Sequence, residues 1–518
     1  MRHAKLYHSI MIVALAVLSV GAYVAWGYSQ GVLGFPLDDA WIHQTYARNL
    51  AETGQLAYVP GEPSAGCTSP AWSFLLSVSY LLGLDYRLWA YLCGGLCLAA
   101  TAWLVYRLAQ RLVPSKPTAA LLTGLFCALE WHLIWAAASG METMLFTALS
   151  LALLEYFFSQ MSARQSPQGP ATLQTEQTIV NAVGIGLLGG ILSLTRPEGL
   201  ALTGLVLIAL AILPLPSDTR ELKGRLLATG ASLLALAIIL TPYLAFNLRT
   251  SNSLFPNTFY AKQTEYQVEW SLPIRFLRVL GPTLVGAQAL LVPGFLYAIY
   301  RLVRHRHWAA ILPMAWWLAL LSAYALRLPV NYQHGRYAIP TIPFLVLYGV
   351  WGTALLLRPR SKYLAARVLS RGLPPAIALL VLLFWGRGAL AYRDDVGLVE
   401  GEMVAIAQWL SSNTGPNDLI AVHDIGAVGY LSDRHLLDLA GLISPDVIPF
   451  MTDAEQLAGW MIQRGAAYAV FFPDFSATYA QLDADPRLSK VHCTNYAWTL
   501  SQGHENMCVY QVTSGTPP

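Results

Sequence analysis

The sequence predicts a polytopic α-helical membrane protein closed by a small C-terminal α/β domain. Three observations predict it. Hydrophobic residues make up 55% of the 518 residues and charged residues only 12%, where a soluble domain carries about 25% charged residues. Apolar stretches of about 20 residues, the length that crosses a bilayer, recur about eleven times. From Tyr392 onward they stop and short alternating elements replace them. The expected division is residues 1–391 in the membrane and 392–518 outside it.

The first apolar run, Ile10 to Gly27, exceeds the ~7–15 residues of a signal-peptide core and reads as an uncleaved span. Further spans are expected near 88–106, 118–138, 143–160, 179–195, 199–215, 227–246, 283–302, 308–328, 338–357 and 373–391. Ser69 to Leu84 is shorter and reads as an interfacial helix. Basic residues set the orientation. Arg2, Lys5, Arg107, Arg111, Lys116, Arg164, Arg220, Lys223, Arg225, Arg301, Arg304, Arg306, Arg358, Arg360, Lys362, Arg367 and Arg371 all fall in alternate loops. Positive loops stay inside. The N-terminus is therefore expected in the cytoplasm, and an odd number of spans puts the C-terminal domain outside.

The first outer loop carries Asp38-Asp39-Ala40-Trp41-Ile42-His43 and continues to Tyr46-Ala47-Arg48-Asn49-Leu50. Its spacing is helical, with Asp39, His43 and Tyr46 on one face. Either aspartate also suits a helix N-cap, the plainer role for the pair. Later outer loops add Ser139-Gly140-Met141-Glu142-Thr143, Thr195-Arg196-Pro197-Glu198-Gly199, Pro256-Asn257-Thr258-Phe259-Tyr260-Ala261-Lys262 and His334-Gly335-Arg336-Tyr337. Together with Arg249 they gather Arg196, Lys262, His334 and Arg336 on the side that holds the aspartates. Guanidinium groups suit bidentate phosphate binding. Taken singly, each also fits a lipid headgroup contact, and Arg196 with Glu198 fits a structural ion pair.

After 392 a helix is expected over 395–412, strands over 419–422, 436–439 and 468–472, a helix over 454–464 and a hairpin over 487–512. The alternation suggests a Rossmann-like domain. It lacks Gly-x-Gly-x-x-Gly, so no dinucleotide is expected, and no motif points to nucleic acid. Of six cysteines, Cys93, Cys97 and Cys127 read as buried thiols in spans and Cys67 lies in the outer loop. Cys493 and Cys508 flank the hairpin and are the disulfide candidate for an oxidising compartment. No spacing reads as zinc.

Carboxylates, cations and aromatics at one membrane face suit glycosyl transfer from a lipid-phosphate sugar to a hydroxyl, with a carboxylate taking the hydroxyl proton. The chain resembles the GT-C superfamily of polyprenyl-phosphate-sugar glycosyltransferases, and within it bacterial enzymes such as the mycobacterial arabinofuranosyltransferases and the aminoarabinose and mannosyl transferases. The motifs above carry the resemblance, with Thr68-Ser69-Pro70-Ala71-Trp72, Asp424-Ile425-Gly426-Ala427-Val428-Gly429-Tyr430 and Asp438-Leu439-Ala440-Gly441-Leu442. It implies a GT-C type fold in the bacterial cytoplasmic (inner) membrane. It also implies an inverting transfer of a hexose or pentose to a cell-envelope glycan, lipid or protein acceptor. Asp38 is then the catalytic base with Asp39 in support. His43, Tyr46, Arg48, Glu142, Arg196, Glu198, Tyr260, Lys262, His334 and Arg336 are the candidates for donor phosphate or substrate. Some members use a divalent metal near the acidic motif and others need none, so magnesium or manganese at Asp38 and Asp39 stays open. The alternative functions are a flippase or transporter, or a ligase, of lipid-linked glycans. A transporter is expected to carry its coupling charges near the midplane in repeated halves, and neither is visible here.

Overall fold

The computed structural model describes residues 2–112, 116–163, 171–212, 222–265 and 270–513; Arg164 and Arg220, two of the expected inner-loop cations, lie outside them. The membrane part runs α1 (Arg2–Ser29), α2 (Asp39–Thr53), the hairpin β1 (Ala57–Val59) and β2 (Glu62–Pro63), α3 (Pro70–Leu82), α4 (Tyr86–Leu112), α5 (Pro117–Leu129), α6 (Trp131–Ala137) and α7 (Thr143–Ala163). It continues α8 (Ala171–Thr195), α9 (Gly199–Ile212), α10 (Leu222–Ser251), α11 (Asn257–Glu265), α12 (Leu272–Leu280), α13 (Val292–Arg304), α14 (Leu312–Arg327), the single turn α15 (Tyr332–Gly335), α16 (Ile342–Leu356) and α17 (Leu364–Val399).

Among the described residues seven helices are long and apolar enough to cross a membrane, or eight if the bent pair α5–α6 is one span. The chain is thus a multi-pass membrane protein. Helix is found within each of the eleven expected spans, but seven or eight described helices reach spanning length. Arg196 and Pro197 turn the chain between α8 and α9, whose described apolar stretches are Ile179–Thr195 and Gly199–Ile212. The segment expected as a span over 283–302 instead forms two 3-10 turns, Pro282–Leu284 and Ala287–Leu291, before the 13-residue α13. Between α5 and α6 the axis bends by 52°. Glu130 sits at that break and accepts from Leu133 N at 2.9 Å, which supplies a partner for an amide freed by the new helix start. Large apolar side chains such as Leu18, Leu88, Ile238, Leu296 and Leu382 stay exposed on the helices. Helices suit this setting because they satisfy their own backbone.

The expected boundary at 391/392 falls inside a helix. α17 runs through a π-helical turn, Glu400–Val404, into α18 (Ala405–Asn413). The separate helix expected over 395–412 is therefore the end of a long rod, since no proline interrupts 376–413. Gly401 lets the rod approach Tyr496: a Cβ there would lie 2.5 Å from its ring.

The C-terminal sheet has the order β4-β3-β5-β7-β6, with β3 (Leu419–Val422), β4 (His435–Asp438), β5 (Tyr468–Phe471), β6 (Leu488–Cys493) and β7 (Cys508–Val512). β3 pairs in parallel with β4 and β5, whereas β7 runs antiparallel to β5 and β6. α19 (Ile425–Leu431), α20 (Ala454–Gln463) and α21 (Ala477–Asp483) connect them, and α22 (Ala497–Ser501) lies within the expected hairpin loop. Cys493 and Cys508 face each other across β6 and β7 and are joined as a disulfide.

Candidate functional site

A cavity of about 420 Å³ lies where α2, α9, α11, α14 and the turn after α15 meet. Its wall includes four cations (Arg196, Lys262, Arg327 and Arg336) and three carboxylates (Asp39, Glu142 and Glu198), with Phe255, Phe259, Leu200 and Leu328 on an apolar side. The balance favours an anionic guest with an apolar part.

The polar groups form two clusters. In the first, Arg336 Nη2 donates to Asp39 Oδ2 at 2.5 Å and to Tyr337 OH at 2.9 Å. Lys262 Nζ donates to Tyr337 OH at 2.8 Å and stands 3.6 Å from Asp39 Oδ2. Burial pushes the Asp39 carboxyl up, but the Arg336 and Lys262 charges outweigh it and hold the group well below the usual carboxylate range. Burial alone would lower the Lys262 ammonium; Tyr337 and Asp39 outweigh it and raise it above its ordinary value. Arg336 Nε and Nη1 are buried with no hydrogen-bond partner among the described residues. A buried unsatisfied donor is costly, so these two nitrogens are open valences toward a bound anion.

In the second cluster His43 Nε2 is 3.1 Å from Glu142 Oε2, and Arg196 Nε is 3.8 Å from Glu142 Oε1. Tyr324 OH joins Arg196 to Glu198. Burial raises the Glu142 carboxyl, yet His43 and Arg196 bring it down to about 2.

Of the twelve expected site residues, Asp39, His43, Tyr46, Glu142, Arg196, Glu198, Lys262 and Arg336 line this cavity. Four do not. Asp38, expected as the base, turns to the C-terminal domain. Its two oxygens accept from Gly426 N at 2.7 Å and Ala427 N at 2.8 Å, the second and third amides of α19. It makes no such bond to its own helix. Its carboxylate thus caps a distant helix. Burial and the neighbouring Asp424 charge raise its pKa to about 7, against the two amide bonds that lower it. The contact needs a glycine, because a Cβ at Gly426 would lie 2.0 Å from Asp38 O. Arg48 lies over the Tyr430 ring at 4.5 Å and donates to Tyr430 O at 3.2 Å. His334 Nε2 is 2.8 Å from Asp395 Oδ2, and Tyr260 is exposed outside the cavity lining.

Sequence reasoning passed over several contributors, Arg327 among them. Tyr337 and Tyr324 bind the cavity's cations; the first stood beside Arg336, but the second carried no local signal. Leu442 brings the C-terminal domain into the wall. Its loop is fixed by Asp438, which accepts from Ala440 N, Leu442 N and Ile443 N at 2.5–2.8 Å, and by Asn257 Nδ2, which donates to Leu442 O at 3.2 Å.

The aspartate pair does not fit a divalent metal. Magnesium or manganese needs converging oxygens, but Asp38 commits both of its oxygens to amides and Asp39 faces two cations. Among the described residues no three His, Cys, Asp or Glu side chains converge as ligands.

Residues 388–510 match a family model described as a domain of unknown function (DUF8728). No curated protein sequence matches the chain. Solved structures do. ArnT from Cupriavidus metallidurans bound to undecaprenyl phosphate superposes with a TM-score of 0.62 at 18% identity, covering 98% of this chain and 99% of that one. The archaeal oligosaccharyltransferase AglB from Archaeoglobus fulgidus, in complex with an inhibitory peptide and a dolichol-phosphate, gives 0.56 at 12% identity, covering 91% and 70%. The chain has the GT-C fold.

Proposed function

We propose that this GT-C membrane protein is an inverting glycosyltransferase that moves a sugar from a polyprenyl-phosphate donor to a hydroxyl of a cell-envelope glycan, lipid or protein acceptor. The observation that carries this is the Asp39–Arg336–Lys262 cluster in an otherwise largely apolar-walled cavity. Two similar folds hold a polyprenyl-type phosphate, undecaprenyl phosphate in one and dolichol-phosphate in the other.

The unpartnered Arg336 nitrogens and Lys262 take the donor phosphate, and the apolar side takes the start of the polyprenyl chain. Before the donor binds, these cations hold Asp39 ionised and occupied. A phosphate between them takes over their charge, which releases Asp39 and raises its basicity. Asp39 then accepts the proton of the acceptor hydroxyl. The acceptor oxygen bonds to the anomeric carbon from the face opposite the phosphate as the sugar–phosphate bond breaks. The electron pair leaves on polyprenyl phosphate, whose charge Arg336 and Lys262 stabilise. His43, Glu142, Arg196 and Glu198 stand across the cavity as hydrogen-bonding partners for sugar and acceptor hydroxyls. No step runs through a metal. The expected setting is the bacterial cytoplasmic membrane, with the N-terminus in the cytoplasm and the cavity and C-terminal domain on the outer face.

The test compares cells lacking the protein with cells supplied with wild type or Asp39→Asn. Loss of one envelope sugar with accumulation of its polyprenyl-phosphate form, restored by wild type and not by Asp39→Asn, supports the reading. Full restoration by Asp39→Asn favours a flippase, which needs no base.

A further inference from the structure

Arg336 reaches the cavity from a turn that the backbone resists. Gln333 and His334 have φ of 51° and 58°, and Gly335 comes next at 69°. Residues other than glycine disfavour that region, and two of them in succession persist only when their surroundings hold them. Gly335 is itself fixed in kind, since a Cβ there would lie 2.6 Å from the Pro282 Cβ.

The hold comes from His334. Its Nε2 lies 2.8 Å from Asp395 Oδ2 on α17, and the same oxygen accepts from Trp135 Nε1 at 2.8 Å. The imidazole also meets the Trp131 and Trp135 rings edge-on, with centroids 5.2 and 5.1 Å away. His334 therefore points away from the cavity, whereas Arg336, two residues on, points into it. His334 sits in a costly left-handed conformation yet makes no cavity contact. Its anchored ring instead fixes the direction in which the chain enters Arg336.

We propose that His334 and Asp395 form a latch that positions Arg336 for the donor phosphate. His334 is a positioning residue, and Asp395 on the long α17 rod is its anchor. The latch rests on the reading of Arg336 as a phosphate ligand. It also ties the cavity to the helix that continues into the C-terminal domain.

A double-mutant cycle on the purified full-length protein in nanodiscs tests it, with undecaprenyl phosphate as the probe. His334→Ala and Asp395→Leu are each expected to weaken binding by about tenfold, within the usual range for coupled neighbours. His334→Gln, which still offers a donor to Asp395, and Asp395→Asn, which still offers an acceptor to His334 and Trp135, are expected to bind close to wild type. Arg336→Ala is expected to bind weakly, and adding His334→Ala to it to weaken binding no further, since a latch has nothing left to position. A wild-type affinity for His334→Ala, with Arg336→Ala impaired, overturns the latch alone. So does a full extra loss in the double variant, which marks a general structural role. Normal binding by Arg336→Ala overturns the phosphate reading and the latch with it. If His334→Ala does not fold, Asp395→Leu against Asp395→Asn decides the same question.

Discussion

Asp38 and Asp39 are adjacent and identical in chemistry, and they serve different regions. Asp39 faces the cavity and meets two cations, so it is held ionised. Asp38 faces the C-terminal domain, where burial and the like charge of Asp424 outweigh its two backbone amide bonds, so its pKa rises to about 7. Successive residues on a helix point about 100° apart. The first turn of α2 thus divides one acidic motif between a polar cavity and an interdomain junction. The lesson is that the partner decides the role, and the residue type does not.

The largest expected effect separates the two directly. Asp39→Asn removes a basic oxygen and keeps the shape, so transfer is expected to fall by roughly 10²–10⁴-fold with the protein still folded. Asp38→Asn is expected to cost far less in the same transfer assay. Equal losses from both would erase the contrast, and a larger loss at Asp38 would reverse it.

Next is the cation beside Asp39. A charge-assisted hydrogen bond contributes about 1.5–3 kcal/mol, so Arg336→Ala is expected to raise the donor KM by about tenfold to a hundredfold. Turnover is expected to fall too, because the leaving phosphate loses its counter-charge. A kcat change with KM untouched would detach Arg336 from donor binding.

The junction is expected to show itself in stability. Gly426→Val is expected to disrupt the Asp38 contact by steric clash and to lower the melting temperature more than a valine at Gly459, where nothing lies within 4 Å of the added Cβ. Asp38 also makes the junction pH-dependent. Its folded pKa is raised, so the folded form binds the proton more tightly than the unfolded one. Its contribution is fully present below its ordinary value near 3.8 and is lost as pH rises through about 7. Between pH 5 and pH 8 the wild type is expected to lose more thermal stability than Asp38→Asn, read by melting curves at each pH. Parallel curves would remove Asp38 from the linkage.

The smallest effect is expected at Tyr260, which is exposed and outside the cavity lining. Tyr260→Ala is expected to leave donor KM within about twofold, as for a surface position without special contacts. A larger change would extend the site beyond its present wall.

What the sequence determined by itself is what local pattern can carry. Apolar runs of bilayer length marked the helices, because a lipid-exposed backbone must satisfy itself. β-branched and apolar runs marked β3, β4 and β5 within a residue or so of their ends, and the hairpin expected over 487–512 holds β6 and β7. The outer-loop motifs supplied eight of the residues that line the cavity. Only the tertiary structure decided which way each side chain faces. Asp38 finds its partner 388 positions along the chain, and His334 finds Asp395 after 61. Nothing local to either residue encodes those partners. The break at Glu130 and the unbroken rod through residue 392 are different: local features accompany both, the cap from Glu130 to Leu133 N in one case and the absence of proline over 376–413 in the other. Periodicity specifies that a residue lies on a helix; the field and contacts that fix its chemistry come from chain segments that only folding brings beside it.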